Sequence, residues 1–167
     1  MSTLRTNAIQ TTGGKPILNS TGGILQVVQT LKTDSFTTTS TSWVDVSGLT
    51  VSITPSSTSS KILVMTHVPF ARDGTGSDAF IKLVRVISST ATDVGNGNNG
   101  YGFSQAAGQY GLDPVTGARV YLDSPSTTSP VTYKIQTFTA NNTVYIGTRR
   151  LNDFILGSDI TVMEISG

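Results

Sequence analysis

The sequence contains no cysteine, so neither disulfides nor thiolate metal sites contribute to its stability. That fits a chain made in a reducing cytosol. It has a single histidine, His67, and a single glutamate, Glu164. With one histidine and no thiol, one subunit lacks the ligands of a transition-metal site, and no cofactor is expected. No run of about 18 apolar residues occurs that would form a transmembrane helix. The opening MSTLRTNAIQ lacks the apolar core of a signal peptide, so neither membrane insertion nor signal-directed export is expected. Charge of one sign is missing too: eleven Lys and Arg stand against ten Asp and Glu. The basic residues are scattered, with only Arg149 and Arg150 adjacent, whereas a nucleic-acid binder gathers them in a patch or stripe. Nucleic acid is therefore not an expected partner.

What is present is hydroxyl and β-branched chemistry. Ser and Thr make up more than a quarter of the chain, and Thr, Val and Ile favour strands where helix formers are few. Ile24–Lys32 opens the strand signals, with Leu25, Val27 and Leu31 on one face by the two-residue period. A Ser/Thr run follows at Ser35–Ser42, then a short strand at Trp43–Val46. Leu49, Val51 and Ile53 alternate with Thr50, Ser52 and Thr54, and Pro55 with the hydroxyl cluster behind it ends that strand. Lys61–Val68 and Asp159–Ile165 are apolar on both faces, and Ala79–Ile87 nearly so. Ser88 to Ala118 reads as a long loop. Arg119–Asp123, Val131–Phe138 and Thr143–Ile146 resume the sheet, with a turn at Asn141–Asn142. Eight to ten short strands with turn chemistry between them predict an all-β, jelly-roll-like antiparallel β-sandwich. Residues 24–167 form this head, and the polar, glycine-containing residues 1–23 form an extended N-terminal arm that anchors the subunit.

The two-faced strands point past the monomer. If one face packs in the sandwich, the other needs cover, and symmetric self-association is its simplest source. Ile160, Val162 and Met163 are the expected interface residues of a trimer.

Catalytic constellations are weak. His67 reads as a strand-end or interface histidine. The stretch from Asp73 to Asp78 lacks the spacing of a calcium loop. Asp113 and Asp123 are the best carboxylate pair for glycoside cleavage, yet both sit in turn-like contexts. No nucleophile elbow, phosphate loop or dinucleotide fingerprint appears, and no enzymatic activity is expected. The aromatics Trp43, Phe36, Phe80, Tyr121, Tyr133 and Phe138 read as core packing. Tyr101, Phe103 and Tyr110 differ, because they lie among glycines, asparagines and glutamines such as Gln109. Rigid aromatics beside adaptable amides suit a binding loop, and a host surface glycan is the expected ligand.

Gly22–Met65, Tyr121–Pro125 leading into Val131–Gln136, Thr143–Ile146 and Ile160–Ile165 resemble, in that order, tail-fibre and related virion proteins of marine and cyanobacterial phages. Ser2–Gln10 is similar to the short opening of those proteins. The segments cover well over half the chain, and their joint order is more specific than any one of them. The resemblance implies a virion protein assembled in the host cytoplasm, trimeric, with a head similar to the tumour necrosis factor-like jelly roll and its C-terminal strand near the threefold axis. Val86–Ile87 and the insert after them depart from the family pattern, so the resemblance implies nothing for residues 88–118. The expected role is a tail-fibre or tail-tip subunit that mediates attachment, held to other virion proteins by the arm. The rivals are a capsid decoration or cement protein and a glycan-degrading tailspike.

Overall fold

Alternation of apolar and hydroxyl residues lets each strand bury one face and hydrate the other, and the computed structural model has eleven strands among its described residues. It describes residues 22–72, 78–95, 97, 100, 102–105, 114–149 and 154–167. The strands are β1 (Ile24–Lys32), β2 (Phe36–Thr38), β3 (Val44–Ile53), β4 (Lys61–Arg72), β5 (Asp78–Ile87), β6 (Thr90–Asp93), β7 (Gly102–Gln105), β8 (Val115–Asp123), β9 (Val131–Thr139), β10 (Val144–Ile146) and β11 (Ser158–Ile165).

Pairing defines the topology. The outermost strands in sequence, β1 and β11, pair antiparallel; within them β3 pairs β9, β4 pairs β8 and β5 pairs β7. Cross-links β4–β11 and β5–β9 complete two sheets, one in the order β1-β11-β4-β8 and one in the order β3-β9-β5 with β6 and β7 on its edge. A long antiparallel hairpin rolled up in this nested way is a jelly roll. The short β10 continues the β11 edge of β4 and carries β2.

The core lies between the sheets. Leu49, Val51 and Ile53 from β3, Ile62, Val64 and Val68 from β4, Ile81 and Leu83 from β5, Val131, Tyr133 and Ile135 from β9, and Ile160 and Val162 from β11 are buried there. Phe36 and Tyr121 pack against this cluster.

Several boundaries differ from those the pattern predicts. The segments at 43–46 and 49–53 are one strand, interrupted by a register shift between Asp45 and Thr50. Gly48 supplies the positive φ of +80° there, a conformation that suits glycine. The interruption puts both Val46 and Leu49 in the core, which breaks the alternation. The insert at 88–118 is not one loop: it carries β6 and β7, and β8 begins at Val115. Its short strands sit on the edge of a sheet, where pairing needs little apolar side chain, so pattern alone misses them. β4 runs through Pro69 to Arg72. A proline in a central strand removes a donor, but Pro69 sits at the seam where β11 gives way to β10. Its carbonyl accepts from the Gly147 N–H at 2.7 Å, so the missing donor faces that same seam.

Candidate functional site

Each sheet presents an outer face, and the two are chemically opposite. On the first sheet the register aligns Val27, Met163, Leu63 and Leu122 across β1, β11, β4 and β8. The next row is Gln29, Thr161, Met65 and Val120, and the one beyond is Leu31, Asp159, His67 and Ala118. Val27 is 54% exposed, Leu122 50% and Val120 68%. Leu63, Met65, Met163 and Ile165 are half-buried. Across the middle rows Gln29 Nε2 donates to Thr161 Oγ1 at 2.9 Å. The face is an apolar sheet surface, and among the described residues no second layer of the chain lies over it.

On the second sheet the outer face is a polar ladder. Ser52 and Thr132 share a hydrogen bond at 2.8 Å. Lys134 Nζ donates to Asp45 Oδ2 at 2.8 Å and Gln136 Nε2 to Asp45 Oδ1 at 2.7 Å. Burial pushes the Asp45 carboxyl up, but Lys134 and Gln136 outweigh it and hold it below its usual range. One end of this face carries aromatics: Phe80 stacks on Phe138 at 4.6 Å, Trp43 meets Phe138 edge-on at 4.5 Å, and Lys82 lies 4.6 Å over the Trp43 ring. Core packing was expected of Trp43, Phe80 and Phe138; they are instead half-buried on the outside. Their alternation with Ala79, Ile81 and Thr137, all buried, is the signal that would have found this.

Two buried polar clusters tie the sheets. Asp123 on β8 accepts from Arg85 Nη1 on β5 at 2.8 and 3.0 Å, from the Tyr133 hydroxyl on β9 at 2.7 Å and from the Ser124 N–H at 2.9 Å. Burial, then the bond to the Asp123 carboxylate, pushes the Tyr133 hydroxyl far above its usual range. At one end of the sandwich Glu164, fully buried, accepts from Gln26 Nε2 at 2.6 Å and from both the N–H and the hydroxyl of Ser56 at 2.7 Å. Burial raises its carboxyl, but the hydrogen bonds from Gln26, Ser56 and Ser60 prevail and bring it to about 2.

The expected site residues distribute as follows. Ile160 and Val162 are 0% exposed and lie in the core. This corrects their assignment to a subunit interface, since the second sheet of the same chain covers them. Met163, with the opposite side-chain direction, is on the outer face. Phe103 falls in β7, its backbone opposite Phe80; Tyr101, Gln109 and Tyr110 lie outside the described residues, as do the arm up to residue 21 and residues 73–77. The candidate carboxylate pair is not assembled: Asp113 lies outside the described residues, and Asp123 is buried in its bonds to Arg85 and Tyr133. His67 is half exposed, its Nδ1 3.9 Å from Asp159 Oδ2. Among the described residues no group of three or more His, Cys, Asp or Glu side chains is placed to hold a metal. A pocket of about 230 Å³, lined by Pro114, Arg149, Phe154 and Leu156, was not foreseen. Arg149 stacks on the Phe154 ring at 4.7 Å there.

No protein-family model matches the chain, and no curated protein matches it. Among solved structures it is similar to the infectious bursal disease virus VP2 subviral particle, at 10% identity and a TM-score of 0.49, over 96% of this chain and 38% of that one. Infectious bursal virus derived T=1 particles match at 9% identity and the Gx strain of the virus at 11%, each with a TM-score of 0.48 over 96% of this chain and 41% of theirs. The chain thus spans about two fifths of the length of those proteins. The fold assignment rests on the nested pairing described above: the protein is an all-β, antiparallel sandwich of jelly-roll order.

Proposed function

We propose that the protein is a structural subunit of a bacteriophage particle, placed in the tail fibre or tail tip, which assembles as a homotrimer and contacts the host surface. The observation that carries this reading is the asymmetry of the sandwich. One outer face is finished for water by a hydrogen-bonded ladder, and the other is apolar and unfinished. A subunit that functions only within an assembly has this character, since exposed apolar patches of such extent mark interaction surfaces. The ordered sequence segments that resemble phage tail-fibre proteins supply the particle. No catalytic role is assigned: the buried carboxylates Asp123 and Glu164 are fully engaged in hydrogen bonds that join elements of the fold. Residues 1–23 anchor the subunit to other virion proteins, and the insert with Tyr101, Phe103, Gln109 and Tyr110 meets a surface glycan.

Locating the subunit on intact particles, by imaging with a labelled antibody and by counting copies per virion, tests the reading. A few copies at the tail tip are expected. Copies spread over the capsid lattice would replace it with a decoration role, and release of reducing ends from host polysaccharide would replace it with a tailspike. Replacing both Tyr101 and Tyr110 with Ala should leave particles intact and reduce adsorption.

A further inference from the structure

The outer face of the β1-β11-β4-β8 sheet is unusual in what it lacks as much as in what it shows. Its middle rows hold Val27, Met163, Leu63, Leu122, Met65 and Val120 beside the mutually hydrogen-bonded Gln29 and Thr161, with no ionisable side chain among them. Four strands about 4.8 Å apart and about 20 Å long give roughly 400 Å² of plan area. That is the size at which apolar patches mark interaction sites, and about half of what one partner buries in a standard interface of roughly 800 Å² per side. Two of the chain's three methionines lie here, the residue type that adapts its shape to a partner and is enriched where charge is depleted at interface centres.

The rim decides the occupant. Lys61 stands at one end of β4, opposite Ile165; His67 and Asp159 stand at the other end. Among the described residues the face therefore carries one lysine and one aspartate at opposite ends around a neutral centre. A nucleic acid or an anionic lipid surface would require a cationic excess that is absent. A second copy of this chain does not, because each copy carries both signs and a net charge of only +1. Turned end for end, one copy brings its Lys61 towards the other's Asp159 while the apolar rows meet.

We infer that this face is covered by a second copy of the chain, with Val120 and Leu122 of β8 and Val27 of β1 at the contact rather than Ile160 and Val162. The inference deepens the self-association in the proposed function and rests on that reading, but the end-for-end contact is twofold and so pairs two copies instead of three. Sheet-on-sheet packing of this kind places the two faces about 10 Å apart and removes water from all six apolar side chains.

Val120→Asp and Leu122→Asp test it on the full chain, by light scattering at several concentrations. Both side chains are half or more exposed within the subunit, so the sandwich should keep its strand dichroism and melt cooperatively, lower only by what association contributes to the unmutated chain. The unmutated chain should be a multimer and both variants monomers, while Ser52→Asp on the polar face should stay multimeric. Because the chain has no cysteine, Val120→Cys offers an independent reading. Its thiol should react several-fold more slowly in the multimer than that of Ser52→Cys. A monomeric unmutated chain would overturn both this interface and the homotrimer. Aspartate variants that remain multimeric, with a fast-reacting Val120→Cys thiol, would overturn the face and leave a homotrimer built elsewhere. A dimer dissociated by Leu122→Asp would keep the face and remove the threefold.

Discussion

The two outer faces of the sandwich are built on the same backbone geometry, yet they solve opposite problems. On β3, β9 and β5, hydroxyls, amides and charges pair across strands: Ser52 with Thr132, Lys134 and Gln136 with Asp45, Lys82 with Asp93. Such cross-strand pairs are each worth only about 0.2–1 kcal/mol, and they confine the apolar side chains of this face to the Trp43, Phe80 and Phe138 cluster at one end. On β1, β11, β4 and β8 the same positions hold Val27, Met163, Leu63 and Leu122. The difference teaches that strand burial has to be assigned face by face. β11 is apolar on both sides for two separate reasons: Ile160 and Val162 fill the core, while Met163 and Ile165 form a surface.

The sharpest way to break that comparison is to put the same charge on each side of β11 and its neighbours. Ile160→Asp or Val162→Asp introduces a carboxylate into a site with 0% exposure and no partner, at a cost of several kcal/mol. That is a large part of the total stability of an ordinary domain, about 5–15 kcal/mol. These variants should fail to fold or melt at far lower temperature, as dichroism would show. Aspartate at Val120 should do neither. Equal melting temperatures for the inward and outward variants would show that the division of β11 into two faces is wrong.

Next in size is the clamp between the sheets. Asp123→Ala leaves Arg85, whose side chain is 20% exposed, without its carboxylate, and should cost about 3–5 kcal/mol. Tyr133→Phe removes one hydrogen bond to the same carboxylate and should cost about 1–3 kcal/mol. Denaturant midpoints measure both. The order of the two matters more than the values: a larger loss for Tyr133→Phe would mean that packing of the ring, rather than the charge pair, holds β8 to the second sheet.

A smaller effect, but one with a distinct signature, belongs to Glu164. Its carboxyl is brought from 4.5 to about 2 in the fold. A depressed folded-state value stabilises the protein fully above the ordinary value, and the contribution is lost as pH falls through the folded one. Stability should therefore decline between about pH 4.5 and pH 2 through this group. Glu164→Gln should cost about 1–3 kcal/mol at neutral pH and much less near pH 2, flattening the acid limb of the curve. An unchanged acid limb would assign that decline to other carboxylates.

The sequence displayed the strands well, because Thr, Val and Ile alternate visibly and Pro55 and Asn142 mark turns. Asn142 indeed takes a positive φ of 65°. Legibility failed where two signals coincide. An apolar run such as KILVM has no polar side to say which residues point inward, so Ile160 and Val162 were read as surface when the register makes them core. The shared face of Leu25, Val27 and Leu31 was correctly grouped, but period alone gives no direction, and that face points outward. Nor could local pattern reveal Asp123 and Glu164 as buried. Their partners, Arg85 and Ser56, are 38 and 108 residues away along the chain, and only the rolled topology brings them together.

The smallest effect tests the polar face itself. Asp45 and Lys134 form an ion pair at 2.8 Å, with side chains 52% and 20% exposed. Because solvent screens the pair and both side chains lose freedom to make it, its coupling should be about 0.2–1 kcal/mol. The pair shares Asp45 with Gln136, so single substitutions mix two interactions. A double-mutant cycle of Asp45→Asn and Lys134→Met isolates the charged pair. The folded state holds the Asp45 carboxyl below its usual value, so the coupling should be present at neutral pH and fade as the solution is acidified through the carboxylate range. It should also weaken when salt is raised, since screening acts most on exposed charges. In the same measurements the stability of the monomeric Leu122→Asp variant should lack this salt dependence at the substituted position, because among the described residues its cross-strand neighbour is the apolar Leu63. A coupling above about 2 kcal/mol, outside the range of exposed pairs, would mean that the second sheet also loses water to a neighbour. The contrast between a finished and an unfinished face would then no longer hold.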